Sequence, residues 1–254
     1  MTHAELIWSD DHLPHDTDTE LARLAARYRA AGGVGIELLG LLGNQAENLF
    51  ERLPQQTRMH IDRVTDQSLR QAMKAAHESQ SVIGDRVGWL NSAMAGALGA
   101  AGGLGGIPTA LAELPVTTMI LLREIQSEAV RLGFDPASEN VQFDCIQVFG
   151  SAGPLARDDG TDMSFVGARM ALASGSMQAL IAKIVPKLSV VLGKKLAAQS
   201  VPVFGAVAGA AINYAYVSYY REMSHVHFGL RKLSIDSGED HSALVADLKM
   251  RMKA

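Results

Sequence analysis

Few residues in this chain have the type and spacing that catalysis needs. Cys145 is the single cysteine, and a thiol nucleophile wants a histidine base beside it. Its neighbours Val141, Phe143, Ile146 and Val148 read instead as the surroundings of a buried structural thiol. The text LASGSMQ around Ser174 and Ser176 lacks the G-x-S-x-G spacing of a hydrolase elbow. His225 and His227 stand two apart, whereas two metal ligands on one helix face need a spacing of three or four. A G-x-G-x-x-G can be traced through Gly103, Gly105 and the glycines around them, but no strand precedes it, so dinucleotide binding is rejected. No catalytic residue, metal site or cofactor is assigned.

Two polar constellations remain. Arg221, His225, His227 and Arg231 fall at near-helical spacing and form a candidate anion-binding set for a phosphate or an anionic head group. The same residues also fit a solvated helix face with ordinary side-chain pairs. Asp85, Glu113, Arg123, Glu124 and Arg169 form a candidate polar cluster bordering a long uncharged stretch. Charges in such a place pair with one another when buried, because breaking a buried pair costs about 3–5 kcal/mol. Arg123 and Glu124, beside Leu121, Leu122 and Ile125, are the two expected to be partly buried, with Arg169 as a partner. A structural ion-pair network is the first explanation of this set and a ligand site the second.

The elements that must position these residues read as helices throughout, and the fold class is all-α. Asp18 or Thr19 caps a first helix through about residue 31, with Leu21, Leu24, Ala25 and Tyr28 on one face. An apolar segment covers 36–50, and a polar amphipathic helix runs from about 62 to 80 with Val64, Leu69, Met73 and Ala76 inward. Residues 87–112 and 196–220 carry no charge, and either stretch exceeds the about 20 residues that cross a bilayer. The first is built on seven glycines and seven alanines. Gly96, Gly99, Gly103 and Gly106 form a stripe along one helix face, and Gly205 and Gly209 form a second close-packing pair. The two readings of these stretches are a buried hairpin in a helical domain and a hairpin that enters or lies on a membrane. Pro108, Pro115, Asn91, Pro202 and Asn213 argue for the first.

Residues 137–164 mix polar and apolar types, and Gly150, Gly153, Pro154 and Gly160 mark a loop there that could lie over the core. The next helix is expected over 165–185, ending at Pro186. Lys183, Lys187, Lys194 and Lys195 then form a modest basic stretch, either ordinary surface lysines or a face for an anionic membrane. A last helix carries Leu244, Val245, Leu248 and Met252, which dock on the body or mediate homo-oligomer formation. These elements give one helical domain, 19–254, around a Gly/Ala-rich hairpin, behind a flexible acidic tail, 1–18.

Charge bounds the partners. The chain has 23 basic and 27 acidic residues, and six of the acids (Glu5, Asp10, Asp11, Asp16, Asp18, Glu20) lie in the first 20 positions. The remainder, 23 bases against 21 acids, is close to neutral, which excludes a dedicated nucleic-acid binder. His3, His12 and His15 in the tail fit a solvated terminus better than a metal site. The start lacks the basic and apolar regions of a secretory signal, so a cytoplasmic location is expected, peripheral to the inner face of the plasma membrane.

Several separated motifs carry a family resemblance. Leu114, Pro115, Thr118, Leu122, Arg123, Ile125 and Ala129 spell L-P-x-x-T-x-x-x-L-R-x-I-x-x-x-A, closed by the G-x-D turn of Gly133 and Asp135. Pro202, Gly205, Ala206, Gly209, Ala210 and Asn213 spell P-x-x-G-A-x-x-G-A-x-x-N, and His227, Phe228, Arg231 and Leu233 spell H-F-x-x-R-x-L. Over 60–235 the chain resembles the EcsC family of bacterial proteins, named for a gene product encoded beside an ABC transporter linked to secretion and competence. The resemblance implies a helical fold and an association with membrane processes, and it carries over no catalytic residue. The function expected is a non-enzymatic, membrane-associated accessory protein whose partner is a membrane surface or a membrane-transport protein. The alternative is a helical hydrolase or ligand-binding domain with a polar pocket beside the glycine-rich hairpin.

Overall fold

The computed structural model describes residues 16–31, 47–78, 109, 111–150, 177–199 and 205–253. Every regular element among them is a helix, so the chain is all-α. Helix α1 (Thr17–Ala31) starts where Asp16 can cap it. The Asp16 carbonyl accepts the Glu20 amide, and its carboxylate accepts the Thr19 hydroxyl, which holds that carboxyl below its usual value. The start is thus two residues before the expected domain boundary. Leu21, Leu24 and Ala25 are buried and Arg23 and Arg27 point outward, as the spacing predicts.

Helix α2 (Gln55–Glu78) begins directly after Pro54, whose carbonyl accepts the amides of Thr57 and Arg58. It buries Ile61, Thr65, Ser68, Leu69 and Ala72 along one stripe. Helix α3 spans 111–131 and ends on a Schellman turn: Phe134 N–H reaches the Ala129 carbonyl at 2.9 Å while Gly133 takes φ +86°. Asp135 Oδ1 then accepts the Ala137 amide at 2.9 Å, an Asx turn that leads into the next helix.

That helix was not specified in the sequence reading. Part of the mixed segment 137–164, ahead of its loop of about 15 residues marked by Gly150, Gly153, Pro154 and Gly160, is helix α4 (Glu139–Phe149), capped by the Ser138 hydroxyl on the Val141 amide. Eight of its eleven residues are buried, and it stops at Gly150, the first of the turn residues. The expected loop itself, 151–164, lies outside the described residues, as do 1–15, 36–46, 87–108 and 165–176 of the segments read above.

A correction concerns Pro186. Helix α5 (Met177–Gln199) does not stop there but runs through it. A proline withholds one amide from the helix ladder at a cost of about 3 kcal/mol. Ile181, Ile184, Leu188, Leu192 and Leu196, buried on both sides of it, hold the helix together across that gap.

Helix α6 (Gly205–Ser237) is the spine of the molecule, 33 residues long and therefore about 50 Å. Helix α7 (His241–Lys253) follows a turn at Gly238, capped by the Asp240 carboxylate on the Ala243 amide. Helices α1, α4, α5 and α7 pack on α6, α1 also packs on α7, and α2 and α4 pack on α5. Leu244, Val245 and Leu248 are buried, so α7 docks on the body. Arg251 of α7 reaches Asp18 of α1 at 2.6 Å, which ties the two ends of the described chain together.

Three glycines mark close approach. A Cβ on Gly229 of α6 would stand 2.7 Å from Leu24 of α1, one on Gly193 of α5 would stand 2.2 Å from the Phe50 ring, and one on Gly150 would meet Ile184 at 2.5 Å. None belongs to the stripes read from sequence. Gly96, Gly99, Gly103 and Gly106 lie outside the described residues, and Gly205 and Gly209 form part of the first turns of α6.

Candidate functional site

A first group of buried ionisable residues lies along the line where α3 meets α6, with Lys195 of α5 at one end. Glu113 Oε1, at the start of α3, accepts hydrogen bonds from three side chains. These are Thr117 Oγ1 on its own helix at 2.9 Å, Asn213 Nδ2 of α6 at 2.8 Å and Lys195 Nζ of α5 at 3.1 Å. Further along, Glu124 accepts the Arg221 guanidinium, and Glu128 Oε2 stands 3.2 Å from His225 Nδ1. Glu124 and Glu128 are four apart on α3, and Arg221 and His225 are four apart on α6, so both pairs fit one register. Partner numbers rise together from Glu113–Asn213 to Glu128–His225, so α3 and α6 run parallel.

Burial and pairing oppose each other in these groups. Removal from water pushes the Glu113 carboxyl up, but the Lys195 charge and the donors Asn213, Lys195 and Thr117 outweigh that and hold it below its usual value. Burial also lowers Lys195, whose side chain is fully enclosed, while the Glu113 charge raises it. A carboxylate with three donors stays charged and in turn supplies the counter-charge for the ammonium. Glu128 is likewise pushed up by burial, then held below its usual value by His225 and Arg131. Glu113 Oε2 is buried and accepts no hydrogen bond among the described residues.

A second group joins α4 to the far end of α6. Arg231 binds the Asp144 carboxylate, and its guanidinium lies 4.7 Å from the centre of the Phe134 ring. His227 Nε2 stands 3.6 Å from Asp144 Oδ1, and its ring meets Phe228 edge-on at 5.1 Å. Cys145, next to Asp144, is fully enclosed and its thiol is pushed far up by burial. It is a packing group, as its apolar neighbours indicated.

The residues read from sequence divide as follows. Arg221, His225, His227 and Arg231 do share α6, but each faces a carboxylate of the protein itself: Glu124, Glu128 or Asp144. Glu113 and Glu124 are both buried on α3, yet eleven positions apart, about 16 Å along the helix, each with its own partner. Arg123 is exposed instead of partly buried, because Leu122 and Glu124 on either side of it take the inward positions. Asp85 and Arg169 lie outside the described residues.

Sequence reading missed Lys195, Glu128 and Asp144. Lys195 follows Leu188 by seven and Leu192 by three, so it falls on the apolar stripe of α5 and was marked for the core by position. Asp144 sits inside an apolar run, between Phe143 and Cys145, with the same meaning. Of the four lysines read as one basic stretch, Lys195 is in the core and Lys194 pairs with Glu47 at 2.6 Å. Only Lys183 and Lys187 are exposed.

The motifs of the family resemblance now have physical content. Leu114, Thr118, Leu122, Ile125 and Ala129 are the buried face of α3, Gly133 and Asp135 make its closing turn, Asn213 holds Glu113, and Phe228 and Arg231 pack around Phe134. The model of the EcsC protein family matches residues 41–233, three quarters of the chain, and the chain belongs to that family. No curated protein and no solved structure matches it.

Proposed function

We propose that this member of the EcsC family is a non-enzymatic accessory protein of the bacterial cytoplasm, associated with the inner face of the membrane and linked to transport or secretion. One observation carries the reading: the ionisable residues that looked most like a reactive site act as helix-to-helix connectors. Glu113, Glu124 and Asp144 each hold a cation of another helix and Glu128 faces the His225 ring of α6, which is the work of a scaffold. The uncharged stretch at 87–112 and the exposed Lys183 and Lys187 support contact with a membrane, whereas the described residues of 196–220 are mostly buried against the other helices. No helix among the described residues is long and apolar enough to cross a bilayer, which favours peripheral contact within that part of the chain.

The second reading, a hydrolase or ligand-binding domain with a polar pocket beside the glycine-rich segment, draws on Glu113 Oε2, a buried acceptor with no donor among the described residues. Membrane fractionation of the intact protein, with carbonate and salt washes in parallel, separates the two. Release by salt supports surface attachment, and retention through carbonate supports insertion of the segment around 87–108. Recovery wholly in the soluble fraction overturns the membrane reading.

A further inference from the structure

Helix α5 is acid-free over 23 residues and carries four lysines, yet it uses them in different ways. Lys195 is consumed by Glu113, and Lys194 by Glu47. The helical turn at 47–51 covers this end of the helix, with the Phe50 ring seated on Gly193. The other end keeps an exposed outer face among the described residues. Gln178, Ala179, Ala182, Lys183, Pro186, Lys187 and Val190 recur at helical spacing and are exposed, while Ile181, Ile184 and Leu188 between them are buried. Lys183 and Lys187, four apart, make no ion pair among the described residues, and Val190, 40% exposed, continues their face.

We infer that this face, Lys183, Pro186, Lys187 and Val190, is the surface by which the protein lies on an anionic membrane. The inference rests on the membrane reading above and names the part of the chain that makes the contact. Charge complementarity selects the occupant. Two cations on one face, with no acid anywhere on their helix, match a sheet of anionic head groups. Aliphatic groups between the lysine stems suit the boundary between head group and acyl chain. Each lysine near such a surface strengthens binding about fivefold, so the pair contributes about 30-fold.

The test is co-sedimentation of the full chain with vesicles of phosphatidylcholine alone or with 30% phosphatidylglycerol, at low and at physiological salt (compositions chosen as about that of an anionic leaflet). The wild-type protein is expected to bind only the anionic vesicles, less at higher salt, and Lys183→Gln/Lys187→Gln to bind about 30-fold more weakly. Arg23→Gln/Lys249→Gln removes the same charge from α1 and α7, which pack on α6 and on each other, and is expected to bind as the wild type does. Equal losses in the two double variants would mean that net charge acts and would overturn the assignment of the face. Wild-type binding that the α5 variant leaves unchanged overturns the face and leaves the membrane reading standing. A wild-type protein that binds no vesicle overturns both.

Discussion

Lys195 donates its ammonium to Glu113 across 82 positions of sequence, at 3.1 Å, with the lysine side chain wholly enclosed and the carboxylate nearly so. The contact joins α5 to the start of α3, and Asn213 brings α6 to the same oxygen. Helix α3 and the two consecutive helices α5 and α6, well downstream of it, therefore meet at one carboxylate atom. An arrangement of this kind adds little net stability over a well-packed apolar core, because both ions have left water. What it adds is an error signal, since any packing that separates the helices leaves a buried charge without its partner.

Separating the partners by mutation is expected to show this directly. Lys195→Met keeps most of the length of the side chain and removes the charge, so Glu113 keeps only the neutral donors Thr117 and Asn213. A loss of about 3–5 kcal/mol in urea unfolding is expected. Glu113→Gln/Lys195→Met removes both charges together and is expected to recover most of that loss. A double variant no more stable than Lys195→Met would show that the two groups are not coupled.

Acid should weaken the fold through the same carboxyls. Glu113 and Glu128 are both held below the ordinary value of 4.5 in the folded state. The unfolded chain therefore takes up protons first as pH falls. The stability these groups supply is present above about pH 4.5 and declines below it, by at most about 1.4 kcal/mol per pH unit for each carboxyl. Urea midpoints between pH 7 and pH 3 should show that decline, and Glu128→Gln should make it shallower. A decline of the same steepness in Glu128→Gln would remove Glu128 from the account.

Helix content was legible wherever one face of a segment was consistently apolar. The first helix is the clearest case, since Leu21, Leu24, Ala25 and Tyr28 pointed inward in the sequence and pack inward in the structure. Boundaries were less legible: the cap of α1 falls on Asp16, not on Asp18 or Thr19. Gly133 and Asp135 announced the end of α3, whereas Pro186 announced an end that tertiary packing then overrode. The site was half legible. Arg221, His225, His227 and Arg231 were recognised as one set because they share a helix. Their partners Glu124, Glu128 and Asp144 belong to other helices, and pairing between helices has no local signature. Lys195 was read as a surface cation because lysines are seldom buried, although its place on the Leu188–Leu192 stripe pointed to the core.

The Schellman turn after α3 gives a prediction about backbone alone. Gly133 adopts φ +86°, and a Cβ there would meet nothing within 4 Å. Gly133→Ala therefore introduces no clash, only the conformational penalty of a left-handed residue, about 1–2 kcal/mol. Thermal or urea unfolding should show a loss of that size, with the folded circular dichroism spectrum unchanged. A neutral substitution would mean that the turn relaxes out of the left-handed region without cost.

Arg231 offers a test of geometry against charge. Its guanidinium binds Asp144 and lies against the Phe134 ring, 4.7 Å from the centroid, and Phe134 also packs on Phe228 at 5.5 Å. Arg231→Lys keeps a cation for Asp144 but loses the planar group that covers the ring. A cost of about 1 kcal/mol is expected for the loss of this partly desolvated cation–π contact. Phe134→Leu should lower stability as well, through lost packing and loss of the same contact. The two substitutions combined should then cost less than the sum of the singles, by roughly 0.5–1 kcal/mol, because the contact can be lost only once. Strict additivity in that cycle would reduce the role of Arg231 to its charge opposite Asp144.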